Sequence, residues 1–198
     1  PRGGRYGTFL HGLLEWAARS TGRHQQGFAA ALAMTDARHR MLAQRCAPRR
    51  LDDWVEPLDA WLTALLDRTW MLDALAPPGG TAPSLRLADL DPRRYQVELE
   101  FWIEGRAVDL RRLDQLITRH TLDGIERPQL ATSYLNGMLK GFIDLVFEHQ
   151  GRYYVLDWKS NQLGPDDSAY TQEAMRVAML ERRYDLQYVL YLLALHRQ

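Results

Sequence analysis

Cysteine occurs once in the 198 residues, at Cys46. A single thiol closes no internal disulfide and supplies neither a four-cysteine zinc site nor a four-cysteine iron–sulfur cluster. Lysine is almost as scarce: Lys140 and Lys159 stand against 23 arginines, a bias of genome composition that makes each lysine worth a question. An excess of either charge is also missing, with 25 basic residues balancing 25 acidic ones. The overall field therefore does not draw the chain onto nucleic acid, and any phosphate binding must come from a local patch. No apolar run approaches the roughly 20 residues that span a bilayer, and no signal-peptide pattern opens the chain. A soluble, cytoplasmic protein is expected. No P-loop is found, so ATP-driven work has no seat in this sequence. The chain opens on Pro1 rather than methionine, which suggests a piece of a longer protein.

What is present reads as a globular chain, 46% hydrophobic and 25% charged. The first ninety residues carry helical spacing. Thr8 to Ala18 places Phe9, Leu10, Leu13, Leu14 and Ala17 on one face, Phe28 to Cys46 is rich in alanine and leucine, and Trp54 to Leu75 forms a third helix. Pro77-Pro78-Gly79-Gly80 is the clearest punctuation, and the boundary between a helical region (1–80) and a mixed core (81–198) is placed there. Beyond it the period turns to two. Tyr95, Val97, Leu99, Phe101 and Ile103 share one strand face, and Gln96, Glu98, Glu100 and Trp102 the other. Leu110 to Arg119 reads as a short helix. Met138–Phe147 and Tyr153–Trp158 read as a hairpin, and Glu173–Leu180 and Leu186–Leu195 as closing helices.

The hairpin holds the informative chemistry. Asp144 is embedded in the apolar Gly-Phe-Ile-Asp-Leu-Val-Phe, and Asp157 and Lys159 sit in Val-Leu-Asp-Trp-Lys-Ser-Asn. A loop centred on Gln150 and Gly151 pairs positions summing to 301, which sets Asp144 opposite Asp157 with Cβ atoms about 4.5–5.5 Å apart. Two facing carboxylates destabilise a sheet unless positive charge lies between them. Lys159, two residues from Asp157, supplies part of it, and a hard divalent cation such as Mg²⁺ would supply the rest. Such a set suits metal-dependent phosphodiester hydrolysis. An ordinary cross-strand ion pair fits the spacing equally well; the large apolar neighbours and the rarity of lysine favour the site.

From Gly137 to Arg197 the string of motifs, ending in Arg-Tyr-Asp-Leu-Gln-Tyr-Val-Leu-Tyr-Leu-Leu-Ala-Leu-His-Arg, resembles the RecB-type nuclease domains of the PD-(D/E)XK superfamily. The resemblance implies an α/β fold, a mixed central sheet flanked by helices and preceded by a helical region, cut short at its C-terminus. It implies a Mg²⁺-dependent exodeoxyribonuclease, with Mn²⁺ a substitute in vitro, acting in double-strand break processing and recombinational repair. ATP would serve only a helicase part absent from this chain. It also implies DNA as substrate, at single-stranded and duplex ends. RecC and RecD would be partner subunits and RecA a further contact.

Residue by residue, Asp144 is similar to the family's first metal-binding carboxylate, Asp157 to the acid of the signature and Lys159 to its catalytic lysine. His11, in Gly-Thr-Phe-Leu-His-Gly-Leu-Leu-Glu, matches the upstream histidine ligand. Gln187 and Tyr191 match a Q-x-x-x-Y motif that contacts DNA or shapes the site. Glu98 resembles an acidic position before the hairpin, although Glu100 shares its strand face and could take that role. Trp158 stands where the family more often has tyrosine. A cluster of Arg38, Arg40, Arg45, Arg49 and Arg50 is either a DNA-phosphate contact or a solvated helix face. A rival reading is a non-catalytic module of the same fold that docks RecC, RecA or DNA. The intact acid–acid–lysine set favours the enzyme.

Overall fold

A computed structural model describes residues 4–72, 82–122 and 125–198, so the Pro77–Gly80 boundary lies outside the described residues. These residues fall into two units. One comprises 4–72, 82–97 and 146–154, and the other 98–122, 125–145 and 155–198. None of the described helices is long and apolar enough to cross a membrane.

The first unit is mainly helical: α1 (Gly4–Ala18), α2 (Gly27–Ala33), α3 (Thr35–Cys46) and α4 (Val55–Asp67). Phe9 and Leu13 of α1 pack with Met41, Leu42 and Cys46 of α3, and with Leu51 and Val55. The helix expected over Phe28–Cys46 is in fact two, broken at Met34. The break is capped by a side chain. Arg38 turns inward, 3% exposed, and donates from Nη1 to the carbonyls of Ala31 and Leu32, both 2.8 Å away. These are carbonyls that the end of α2 would otherwise leave unpaired. The guanidinium is neutralised by Asp59 of α4, Nε to Oδ1 at 2.7 Å. Arg38 is therefore neither a DNA contact nor part of a solvated face.

The third helix also ends earlier than its periodicity suggests. α4 stops at Asp67, and Thr69–Met71, a β-branched and aromatic triplet, forms β1. It pairs antiparallel with β2 (Ser84–Arg86), Trp70 opposite Leu85.

The main sheet has the order β3-β4-β5 and is antiparallel, with β3 at Tyr95–Asp109, β4 at Tyr134–His149 and β5 at Arg152–Leu156. From Leu99 to Ile103 the alternate residues of β3 are buried, as the period of two requires. β4 and β5 are joined by Gln150-Gly151, both at positive φ (51° and 77°), the geometry of a two-residue hairpin turn whose twist suits the strands. The second unit adds α5 (Leu110–His120), α6 (Gln172–Glu181) and α7 (Tyr184–His196). The α/β fold expected from the sequence is the one observed.

One glycine in this unit is required by close approach. A Cβ on Gly141 of β4 would lie 2.4 Å from the Phe101 ring of β3. Phe101 in turn meets Tyr191 of α7 edge-on, centroids 5.6 Å apart. Gly141→Ala is expected to cost about 1–3 kcal/mol by overpacking. Chemical denaturation reads that loss, and an unchanged midpoint would contradict it.

Candidate active site

The hairpin ties Asp144 to the segment that carries Asp157 through a backbone hydrogen bond. Asp144, on β4 and 8% exposed, accepts at Oδ2 from the backbone N–H of Trp158 at 2.7 Å. β5 has ended at Leu156, two residues short of the strand expected to reach Trp158. The Asp144 carboxylate thus satisfies an N–H that no ladder bond takes up, and pins the segment carrying Asp157 and Lys159 to β4.

Asp157, Lys159, Gln187 and Tyr191 form a closed ring. Lys159 Nζ ion-pairs with Asp157 Oδ2 and donates to Gln187 Oε1 at 2.7 Å. Gln187 Nε2 donates to the Tyr191 hydroxyl at 2.5 Å, and that hydroxyl donates to Asp157 Oδ1 at 3.3 Å. The ring fixes the glutamine amide, because an ammonium only donates and must face the amide oxygen. Burial, and then the charge of Asp157, push the Tyr191 hydroxyl well above the usual tyrosine range, so it stays protonated and keeps donating. The sequence separates Asp157 from Tyr191 by 34 positions. α7 closes the gap because Gln187 and Tyr191, four apart, share a helix face.

Tyr184 extends that face and has no role in the family motif. Its ring lies under Lys159, Nζ 4.2 Å from the centroid, and its hydroxyl donates to Asn161 Oδ1 at 3.1 Å. The 184, 187, 191 spacing is the signal that points to it. The lysine is held on one side by an aromatic face and on the other by a carboxylate and an amide.

Backbone geometry separates Glu98 from Glu100. Glu98 has φ 53°, a left-handed conformation that a non-glycine residue holds at a cost. The alternation is broken there, and Glu98 is half-buried while Glu100 is exposed. Glu100 is committed elsewhere: it accepts from Trp102 Nε1 at 2.7 Å and pairs with Lys140 Nζ at 3.1 Å. Those two partners hold its carboxyl below the usual range. Glu98 instead brings a carboxylate oxygen within 4.8 Å of one from Asp144. Two carboxylates at that separation are the donor set a hard divalent cation takes, oxygen ligands with room for water. His11 lies on α1, half-buried, in the other unit.

A network of charges secures α7 itself. Asp185, fully buried, accepts from Arg127 Nη1 at 2.8 Å and from Arg183 Nε at 3.1 Å. Arg127 also donates to the carbonyls of Thr121 and Leu122, and Arg183 Nη1 to Asp114 Oδ1 at 2.7 Å. Asp185 lies two residues before Gln187, yet carries no role in the Q-x-x-x-Y motif.

An antiparallel hairpin that carries Asp144 and leads directly into Asp157 and Lys159, with an acidic β3 residue beside it and a glutamine–tyrosine helix behind it, is the arrangement of a nuclease core. The sequence profile of the PD-(D/E)XK nuclease superfamily matches residues 2–198, and the chain belongs to that superfamily. Within it, the chain is similar to the RecBCD enzyme subunit RecB of Escherichia coli (strain K12), 41% identical over 198 residues, all of this chain and 15% of that protein. The same subunit of Haemophilus influenzae is 36% identical over 143 residues, 71% of this chain and 11% of that protein. That of Mycobacterium tuberculosis (strain ATCC 25618 / H37Rv) is 30% identical over 217 residues, all of this chain and 18% of that protein. The chain thus spans less than a fifth of the length of these relatives, and the RecB-type resemblance holds along its whole length.

Proposed function

We propose that this chain is the DNA-cleaving domain of a RecB-type helicase–nuclease, hydrolysing phosphodiester bonds with Mg²⁺ during double-strand break processing and recombinational repair. The observation that carries this reading is the closed Asp157–Lys159–Gln187–Tyr191 ring beside the Glu98–Asp144 carboxylate pair. Asp144, Asp157 and His11 are the residues assigned to the metal, with Glu98 as an added acidic ligand. A bound divalent cation supplies polarisation of the scissile phosphate and a lowered pKa for attacking water.

The protein groups do the rest. Lys159, aimed by the Tyr184 ring and the Gln187 amide, orients the attacking water or meets the charge that develops on the phosphoryl oxygens. Tyr191 and Gln187 keep Asp157 and Lys159 in one geometry, so little reorganisation is needed when substrate arrives. The helical region, 1–80, contributes His11 to a core formed by 81–198. RecC and RecD are the proposed partner subunits, RecA a further contact, and the cytoplasm the place of action. Unwinding, with its ATP, belongs to parts beyond this chain.

The test is hydrolysis of linear single-stranded DNA with Mg²⁺ and with EDTA, beside Asp157→Ala. Cleavage that needs the metal and disappears in the variant is expected; cleavage retained by Asp157→Ala would sink the mechanism. His11→Ala is expected to shift the Mg²⁺ titration midpoint about tenfold or more, the scale on which weakened metal sites respond. Its DNA affinity in EDTA should hold. Loss of DNA affinity with an unmoved metal midpoint would remove His11 from the ligand set.

A further inference from the structure

A second site lies within the helical unit. A cleft of about 710 Å³ is lined by Arg5, Tyr6 and Thr8 of α1 and by Pro48, Arg49 and Arg50 beyond α3. Three of its six lining residues are arginines and none is acidic. The other arginines nearby are consumed internally: Arg38 by Asp59, and Arg45 by the carbonyl of Gly12 at 2.7 Å. Arg5, Arg49 and Arg50 are exposed, and among the described residues none of them pairs with a carboxylate.

The cleft is also built. Arg49 lies over the Phe9 ring, 5.0 Å from its centroid, and donates to the carbonyl of Arg45 at 2.8 Å, which fixes its guanidinium. Arg50 adopts a left-handed φ of 55°, a conformation that favours glycine, so the chain sustains backbone strain to place a cation there. Tyr6 offers a partly buried ring beside the three positive charges. Guanidinium groups with an adjacent aromatic ring are the chemistry that binds a single-stranded nucleic-acid backbone and stacks its bases.

Position gives the cleft its use. Arg5, Thr8 and His11 follow one another at helical spacing on α1, and the six-residue step from Arg5 to His11 rises about 9 Å. We propose that this cleft holds the sugar–phosphate backbone of single-stranded DNA one or two nucleotides away from His11. The inference rests on the reading of His11 as part of the cleavage site. A cleft of this volume is in the range of pockets that enclose a small ligand, and the Tyr6 ring at its edge offers an unpaired base a face to stack on.

The experiment is fluorescence anisotropy of a labelled oligothymidylate across a salt series, in EDTA so that neither metal nor cleavage contributes. The Arg5→Gln/Arg50→Gln protein is expected to bind about tenfold more weakly. Its plot of log affinity against log salt should be shallower by about 1.4, at ~0.7 for each phosphate no longer neutralised. Arg5→Lys/Arg50→Lys should keep the slope, and Arg40→Gln, an exposed arginine outside the cleft, should keep both slope and affinity. An unchanged slope in the double glutamine variant overturns the proposal. So does an equal loss in Arg40→Gln, which would make the attraction diffuse. Tighter binding of a blunt duplex that responds to the same substitutions overturns the choice of a single strand. Because no metal is present, these outcomes stand apart from the cleavage assay of Asp157→Ala.

Discussion

Asp144→Asn is expected to lower Mg²⁺-dependent DNA cleavage by about 10³-fold or more, the scale on which loss of a charge-stabilising group acts in a preorganised site. The hairpin should stay folded. Asparagine has nearly the shape of aspartate and retains a carbonyl oxygen, so the bond from the Trp158 N–H survives. What it loses is the negative charge beside Glu98 that a hard cation takes. Asp144→Ala removes both functions and leaves the Trp158 N–H without this acceptor, at a cost of about 1–3 kcal/mol. The pair of variants therefore separates the two roles. Equal melting temperatures for the wild type and Asp144→Asn, with cleavage lost, place the effect in the chemistry. Cleavage retained by Asp144→Asn would remove this carboxylate from the metal set.

The parts of the site legible in the sequence are those fixed by local rules. A turn at Gln150-Gly151 sets the hairpin, and helical spacing joins Gln187 to Tyr191. The alternation along β3 is readable from Leu99 onward. It does not distinguish Glu98 from Glu100, because a single left-handed residue resets the pattern and no propensity signals it at a glutamate. Nor does charge clustering distinguish a buried cation from exposed ones: Arg38 is inside because α2 ends where its carbonyls need donors. Tyr184 reads from the sequence as packing, since an aromatic under an ammonium depends on where β5 releases the chain, at Leu156. The early helix end at Asp67 has the same origin, a short pairing with β2 that outweighs helical period.

The second large effect concerns Asp185, which no catalytic role protects. Its carboxylate is fully buried between Arg127, 3% exposed, and Arg183. Burial alone would push the carboxyl up, but the hydrogen bonds and charges of Arg183 and Arg127 outweigh it and hold it below its ordinary 3.8. A carboxyl depressed in the folded state binds protons more readily when unfolded. Its stabilisation is therefore fully present above about pH 4 and is lost as pH falls through the lowered value. Asp185→Asn leaves the buried Arg127 guanidinium and the partly buried Arg183 guanidinium without their shared charge, and is expected to cost about 3–5 kcal/mol at neutral pH. The loss should show in urea unfolding. In the wild type, stability should fall on acidification below about pH 4; in Asp185→Asn that fall should be smaller, because the group that titrates has gone. Because Asp185 stands two residues before Gln187, the variant should also loosen the Lys159–Gln187 hydrogen bond, so that residual folded protein cleaves more slowly under saturating Mg²⁺. An Asp185→Asn protein with wild-type stability and an unchanged acid limb would show that the two arginines do not depend on this carboxylate, and that α7 is held by its apolar packing alone.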